Sequence, residues 1–200
     1  MGDVIADMCM SLDGYIADPD DGIDQLFGWY FDGEVATPTA SPQFTFRTSE
    51  ASATHLRRAF AGIGALIAGR HLFDVAQGWG GYHPMGVPVF VVTHEAPTDW
   101  RHPEAPLTFV TDGLDSAIAQ AKAVAGDKFV AVASAKLAQQ CLDAGLLDAI
   151  QVNLVPVLLG TGIPFFANLA KHPVALEGPT VLEGVGVTHL TYRVPKSQHV

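Results

Sequence analysis

Residues 64–73 read Gly64-Ala65-Leu66-Ile67-Ala68-Gly69-Arg70-His71-Leu72-Phe73. The first half of this stretch is a short apolar run without interruption, which is typical of a parallel strand that is buried on both faces. Gly69 ends the run, and a cation, an imidazole and an apolar pair follow it, as expected where a strand passes into a helix. The stretch therefore predicts an open α/β sheet, in which ligands bind beyond the carboxyl ends of the strands.

The turn at the end of this strand has the residue types of an anion site. Gly69 leaves room for a phosphate to approach the backbone, and the free N–H groups of the following helix would face it. Arg70 is able to pair with a phosphate through two hydrogen bonds. A Gly-Arg pair after a strand is more often an ordinary turn with a solvated arginine, so the pattern leaves two alternatives open.

The composition of the 200 residues is that of one packed domain. Hydrophobic residues make up 48% and charged residues only 16%, which is enough apolar material for a large core over residues 1–200. The formal net charge is −10, and no cluster of Lys and Arg interrupts it. We therefore expect neither a nucleic acid nor an anionic membrane as a partner.

The cysteines and the N-terminus bear on the compartment. Cys9 and Cys141 are far apart in apolar contexts, which favours buried, reduced thiols. Met1-Gly2-Asp3 lacks the basic region of a leader, and no apolar run is long enough to span a membrane. The sequence thus predicts a cytoplasmic protein.

The rest of the chain alternates predicted strands and helices and ends in a hairpin. Residues 33–47 are rich in Thr, Pro and Ser and predict an exposed loop, after which Thr48 or Ser49 caps a helix. Further helices are predicted at 114–124 and from the cap Ser134 to about 144. Strands are predicted at 4–10, 87–93, 107–111, 129–133 and 147–159, with an antiparallel hairpin at 174–182 and 185–194. This order predicts an α/β fold with a mostly parallel central sheet and an antiparallel C-terminal hairpin.

Four segments in register resemble one protein family. Residues 11–17, 68–73, 89–94 and 155–162 read Ser-Leu-Asp-Gly-Tyr-Ile-Ala, Ala-Gly-Arg-His-Leu-Phe, Val-Phe-Val-Val-Thr-His and Val-Pro-Val-Leu-Leu-Gly-Thr-Gly. Over nearly the whole chain they resemble the dihydrofolate reductase-like family, in the branch that includes the riboflavin-biosynthesis reductase domain (RibD C-terminal domain). The resemblance implies a three-layer α/β fold, NADPH as the hydride donor and a homodimer. The apolar run 149–159 and the terminal hairpin would offer an edge for pairing.

The resemblance also implies which residues hold the cofactor. Gly69, Arg70 and His71 match the family's cofactor-phosphate turn. Thr93 and His94 match the second strand end on the phosphate side.

Two further segments match the family's loops at the cleft. Asp13 and Gly14 resemble the hinge of the loop that closes over the nicotinamide. Gly162, within Gly160-Thr161-Gly162, resembles the turn that lines the substrate side.

One segment departs from the family's pattern. Where the family places a Gly-Gly pair against the pyrophosphate, this chain has Ala133-Ser134-Ala135. Side chains there add Cβ atoms where the backbone must approach closely. The Ser134 hydroxyl and the N-terminus of the following helix are still able to bind a phosphate, and Lys136 adds charge. Ser134 and Ala135 are therefore expected cofactor contacts.

Asp13 is the candidate for proton transfer. At the end of the first strand and against an aromatic cluster, its carboxyl is a candidate for a raised pKa and for the role of proton donor. The local sequence favours the simpler alternative, in which Asp13 holds the Ser-Leu-Asp-Gly turn through its own backbone.

Aromatic residues in two loops are candidates for the substrate pocket. Trp29, Phe31, Trp79 and Tyr82 lie outside periodic segments, which favours a wall against a flat ring. A small core under two long loops is an equal alternative. The histidines have no metal-ligand spacing, so no metal site is expected.

We therefore expect an NAD(P)H-dependent reductase that transfers a hydride to a small aromatic or heterocyclic substrate. Two alternatives stay open. One is a cofactor-independent enzyme that catalyses a cyclisation, rearrangement or elimination on the same scaffold. The other is a non-catalytic small-molecule binding protein.

Overall fold

A computed structural model describes residues 2–41 and 44–196 of the chain. Its helices are α1 (Asp24–Phe27), α2 (Glu50–Gly62), α3 (Arg70–Val75), α4 (Leu114–Ala125) and α5 (Ala135–Asp143), with short 3-10 turns at Gly28–Tyr30 and Gln77–Gly81. Its strands are β1 (Val4–Ser11), β2 (Tyr15–Ala17), β3 (Val35–Pro38), β4 (Thr45–Thr48), β5 (Ile63–Gly69), β6 (Val89–Val92), β7 (Leu107–Val110), β8 (Phe129–Val132), β9 (Ala149–Val155), β10 (Ile163–Pro164), β11 (Glu177–Glu183) and β12 (Thr188–Arg193).

One eight-stranded sheet organises the chain. Its strand order is β11-β12-β9-β1-β8-β5-β6-β7. The strands from β9 to β7 in this order are parallel, whereas β12 is antiparallel to β9 and β11 to β12. The predicted fold class, a mostly parallel sheet closed by an antiparallel hairpin, is confirmed.

Helices cover both faces of this sheet and make three layers. On one face, α4 and α5 pack on alternate residues of the central strands, such as Ala65 and Ile67 of β5 and Val130 and Val132 of β8. The intervening residues face α2 and α3 on the other side. We call these sides the α4/α5 face and the α2/α3 face. The short apolar runs of the sequence are therefore strands that are buried on both sides, as their composition predicts.

Two local expectations are wrong. The segment 33–47 is not simply a loop, because β3 and β4 pair as an antiparallel hairpin there; residues 42–43 lie outside the described chain. The run 149–159 does not offer a sheet edge, because β9 pairs with β1 on one side and β12 on the other. The edge belongs to β11 of the terminal hairpin.

The predicted start of the second helix is confirmed. Ser49 is the cap of α2, and its hydroxyl accepts a hydrogen bond of 3.3 Å from the Ser52 N–H. Within residues 2–41 and 44–196, no helix has the length and apolar character needed to cross a membrane.

Candidate active site

The carboxyl ends of the central parallel strands meet at one edge of the sheet. Val132 of β8 pairs with Ile67 of β5, so Gly69 and Ser134, two residues further on, lie at the same level. The Gly69 N–H donates a hydrogen bond of 2.8 Å to Ser134 Oγ. This bond joins the turn after β5 to the turn after β8 and holds the two turns together at the carboxyl edge of the sheet.

The Ser134 side chain does not cap α5, contrary to the expectation from sequence. Ser134 directly precedes α5, but its hydroxyl accepts from Gly69 and makes no cap bond. Among the described side chains, none accepts from the first-turn N–H groups of α5, which begin at Ala135. These groups are thus free to bind an anion. Lys136 is exposed in the same turn.

The segment Ala133-Ser134-Ala135 stands where the family has a Gly-Gly pair. Ser134 has an ordinary extended backbone (φ −143°, ψ 130°), and its side chain is turned toward β5. The close approach occurs instead at Gly69, where an added Cβ would lie 3.3 Å from Ser134 Oγ. Ala133 and Ser134 are partly exposed at the edge, whereas Ala135, an expected cofactor contact, is buried.

The two basic residues at the start of α3 have partners within the chain. Arg70 Nε donates to both carboxylate oxygens of Asp74, at 2.8 and 2.9 Å, and Nη1 donates to the Glu95 carbonyl oxygen at 3.0 Å. His71 Nε2 lies 2.8 Å from Asp21 Oδ1. Both residues lie at this edge, and each is paired with a carboxylate of the chain.

Thr93 lies beside Arg70. Its N–H donates to the carbonyl oxygen of Val110 at 3.0 Å, and its hydroxyl donates to the Glu95 carbonyl oxygen at 2.8 Å, the same atom that Arg70 contacts. His94 follows as an exposed residue. The structure thus brings the predicted cofactor residues of three strand ends to one edge.

Below this edge, on the α2/α3 face, parts of β1 and β8 lie between two separate hydrophobic clusters. Leu56 belongs to the hydrophobic cluster beneath α2 and Phe73 to the cluster beneath α3, and no described residue belongs to both. The register of β1 with β8 places Asp7 and Ala133 side by side between the two clusters. Both residues keep part of their surface exposed. We call this strip of the sheet, between the two clusters, the β1–β8 trough.

Asp7 begins a chain of hydrogen bonds that runs from the trough beneath α2. Asn153 Nδ2 donates to Asp7 Oδ1 at 3.0 Å, and Asn153 Oδ1 lies 2.7 Å from His189 Nδ1. His189 Nε2 lies 3.0 Å from Ser52 Oγ. Because Asn153 presents its oxygen to His189, Nδ1 carries the imidazole proton and Nε2 accepts one from Ser52. Each of these three hydrogen bonds is thus donated in the direction of Asp7.

Burial sets the charge of the ionisable members. It raises the pKa of Asp7 to about 7, against a smaller lowering by the hydrogen bond from Asn153. It lowers the pKa of His189 to about 4, with a further lowering by His55. His55 stacks on His189 with ring centroids 4.1 Å apart, and burial followed by the charge of Arg58 lowers its pKa as well. At neutral pH both imidazoles are uncharged, and Asp7 is near its midpoint.

The expected aromatic wall is divided into two flanks. Trp29 is buried in the cluster beneath α2, and its ring meets the His189 ring edge-on with centroids 5.2 Å apart. Phe31, two residues further along the chain, is 54% exposed. Trp79 packs in the cluster beneath α3, and Tyr82 is 51% exposed. In the described parts of the chain, no ring contact joins the two sets.

The expectation of a raised pKa at Asp13 is wrong. The Asp13 carboxylate accepts hydrogen bonds from the Ser11 hydroxyl at 2.6 Å and from the N–H groups of Leu159 and Gly160 at 3.1 and 2.7 Å. These bonds, with that of Ser11 first, hold its pKa below the ordinary value. The Asp13 carboxylate is therefore ionised and has no proton to give. Its hydrogen bonds to Leu159 and Gly160 tie the loop after β1 to the loop after β9.

Gly162 has a structural reason to be glycine. Its φ is +154°, and a Cβ there would lie 2.1 Å from the carbonyl oxygen of Ala17. The residue thus allows the turn after β9 to lie against β2, next to the loop that Asp13 holds.

Reasoning from sequence missed the polar chain. Its signal was polar residues at alternate positions of apolar strands, where one face of a strand must be buried. The overlooked residues are Asp7 in β1, Asn153 in β9, His189 in β12, and Ser52 and His55 in α2, together with Gln151 in β9, whose Nε2 lies 2.9 Å from His55 Nε2.

With the fold and this site established, the chain can be placed among known proteins. A family model described as the RibD C-terminal domain matches residues 3–177. The chain belongs to this family. The resemblance of the four sequence segments is thereby confirmed. No curated protein sequence matches the chain significantly.

Solved structures with the same fold include the following three. A Shewanella sp. PV-4 protein whose description names riboflavin biosynthesis is 22% identical, with a TM-score of 0.70 over 96% of this chain and 99% of that one. The deaminase/5-amino-6-(5-phosphoribosylamino)uracil reductase of Thermotoga maritima is 12% identical, with a TM-score of 0.58 over 97% of this chain and 57% of that one. Dihydrofolate reductase from Enterococcus faecalis, complexed with NADP(H), is 14% identical, with a TM-score of 0.57 over 96% of each. At these identities the likeness shows the shared fold.

Proposed function

We propose that this protein is an NAD(P)H-dependent reductase of a small heterocyclic molecule. The observation that carries the proposal is the position of the anion-binding groups. The uncapped first turn of α5 and the Ser134 hydroxyl lie at the carboxyl edge, directly beyond the β1–β8 trough that contains Asp7. Membership of the RibD C-terminal domain family supports it, as does the NADP(H) bound by the Enterococcus faecalis enzyme of this fold.

The residues at the edge fit the phosphates of a dinucleotide. The N–H groups at the start of α5 are directional donors, Lys136 supplies positive charge, and Arg70 retains guanidinium hydrogens beyond those bonded to Asp74 and Glu95. These local groups oppose the net charge of −10 of the whole chain. When bound, a reduced nicotinamide supplies a hydride to an unsaturated carbon of the substrate.

The trough suits a flat, partly polar substrate. Its flanks are the aromatic clusters beneath α2 and α3, and its floor is Asp7 and Ala133. Apolar walls with a few polar groups at fixed positions are typical of sites for small molecules. The Thermotoga maritima relative is described as a 5-amino-6-(5-phosphoribosylamino)uracil reductase, which makes that aminouracil the first substrate to test.

Thermal unfolding in the presence of NADPH tests the proposal. A ligand at 100 times its Kd stabilises the folded state by about 2.7 kcal/mol, so we expect a clear rise in Tm with NADPH. Arg70→Ala should reduce that rise. Arg57→Ala, which removes an exposed cation of α2, is the matched control and should leave it unchanged. The absence of a shift with both NADPH and NADH at millimolar concentration would contradict the proposal.

Turnover is then measured as the oxidation of NADPH on addition of the aminouracil. We expect oxidation that depends on both the protein and the substrate. Oxidation at the same rate without the aminouracil would rule out this substrate while leaving cofactor binding as a separate result.

A further inference from the structure

We propose that Asp7 is the proton donor to the substrate in the β1–β8 trough. The inference rests on the proposed reductase function and adds to it the source of the proton that accompanies the hydride. It places acid catalysis on the floor of the trough instead of at the exposed loop of Asp13.

The hydrogen-bond chain decides which oxygen of Asp7 carries the proton. Asn153 presents its oxygen to His189 and its Nδ2 to Asp7, so Asp7 Oδ1 only accepts. When Asp7 is protonated, the proton must therefore sit on Oδ2. Within the described chain, Oδ2 has no hydrogen-bond partner, and the residue keeps part of its surface exposed to the trough. The acid hydrogen is thus not bonded within the described protein and is available to a substrate bound at the trough.

The groups around Asp7 leave it as the ionisable group suited to this task. Cys9 on the same strand and Tyr30 in the 3-10 turn both sense its charge, and burial raises their pKa values far above neutrality. His55 from α2 and His189 from β12 are neutral, with lowered pKa values. No cation contributes to the pKa of Asp7, which burial raises to about 7. An acid with a pKa near the working pH is half protonated and able to donate.

The proposed step balances as a two-electron reduction. A bound reduced nicotinamide would supply the hydride for the new C–H bond at an unsaturated C=N or C=O carbon of the substrate. The π-bond electrons move to the nitrogen or oxygen, which takes the proton from Asp7 Oδ2. Asp7 is left as a carboxylate and regains a proton from solvent, to which the residue is partly exposed. The oxidised nicotinamide and the reduced substrate are the products.

A carbon-13 NMR titration of the aspartate side-chain carboxyl groups tests the protonation state without substrate or cofactor. We expect one signal with a midpoint of about 7, present in the wild type and absent in Asp7→Asn. Asp99→Asn, a change at an exposed residue with no hydrogen bond to the network, should leave that signal in place. If the signal that Asp7→Asn removes titrates in the ordinary aspartate range, the proposal is wrong.

Kinetics of the same variants test the catalytic role. Asp7→Asn keeps the size and the acceptor oxygen for Asn153 but has no acid proton, so we expect turnover to fall about 10²-fold or more. The Tm rise with NADPH should be unchanged, and wild-type turnover, but not the residual rate, should decline as the pH rises through about 7. Cofactor binding with turnover of Asp7→Asn within about twofold of wild type would overturn the proposal. A wild type that binds no cofactor would instead overturn the reductase function.

Discussion

The two faces of the central sheet differ in the polarity of their buried side chains. The α4/α5 face is a continuous apolar layer that includes Ala6, Val132 and Leu147. The buried polar side chains of the described chain lie instead on the α2/α3 face or in and beside the β3–β4 hairpin. Among them are Asn153 and His189, both less than 5% exposed. Burying hydrogen-bonded polar groups gains less stability than burying apolar ones.

This difference indicates that one face mainly stabilises the fold and that the other mainly supports the chemistry of the site. The apolar layer contributes most of the free energy that holds the sheet together, and its side chains carry no chemistry. The polar layer orders the side chains around one carboxyl group, at the cost of desolvating it. We therefore expect substitutions on the two faces to separate stability from the chemistry of the site.

The largest loss of stability should come from the α4/α5 face. Leu147 is 1% exposed, and Leu147→Ala removes apolar contacts and leaves a cavity, which costs about 2–5 kcal/mol. Urea unfolding measures the change. The matched control is Leu158→Ala, at a leucine that is 68% exposed, for which we expect a change within about 0.5 kcal/mol. Equal losses in the two variants would contradict the assignment of the main core to this face.

A change on the other face should act in the opposite direction. Asp7 has a folded-state pKa of about 7 against 3.8 in the unfolded chain, so the folded state binds the proton more tightly. Wild-type stability is therefore lost as the pH rises from about 4 to about 7, by up to about 4 kcal/mol. Asn does not titrate, so Asp7→Asn should be more stable than the wild type at pH 8 and lose that advantage near pH 4.

The comparison of the two proteins at each pH isolates Asp7. His189 has a lowered pKa of about 4 and contributes the opposite slope, since the wild type gains stability as the pH rises toward 6.5. Both proteins contain His189, so its contribution cancels in the difference. A difference in unfolding free energy that does not change between pH 4 and pH 8 would show that Asp7 is not desolvated.

Local patterns predicted the strands well and the polar chain poorly. The apolar run that ends at Gly69 shows its burial on both faces directly in the sequence, because a central parallel strand needs no distant partner to look apolar. The bond between Asp7 and Asn153 joins residues 146 positions apart and depends on the register of β1 with β9. No local spacing encodes that register.

Asp13 also shows that distant residues limit what the local sequence predicts. Its position after an apolar strand and near aromatic residues predicted a desolvated carboxyl. The N–H groups that stabilise its charge come from Leu159 and Gly160, 146 and 147 residues away. A pKa depends on such distant donors as much as on burial, so the sign of its shift was not available from the neighbouring residues.

The smallest predicted effect concerns Ser134, which we expect to contribute both to stability and to cofactor binding. Ser134→Ala removes the acceptor of the Gly69 N–H and should cost about 1 kcal/mol of unfolding free energy. It also removes a hydroxyl donor at the edge, so the Kd for NADPH should rise by up to about tenfold. Ser116→Ala is the control, because that exposed hydroxyl bonds only to Gln120 on α4, away from the edge. A loss of stability with an unchanged Kd would limit Ser134 to joining the turns after β5 and β8, and would leave the α5 N–H groups as the phosphate donors of that turn.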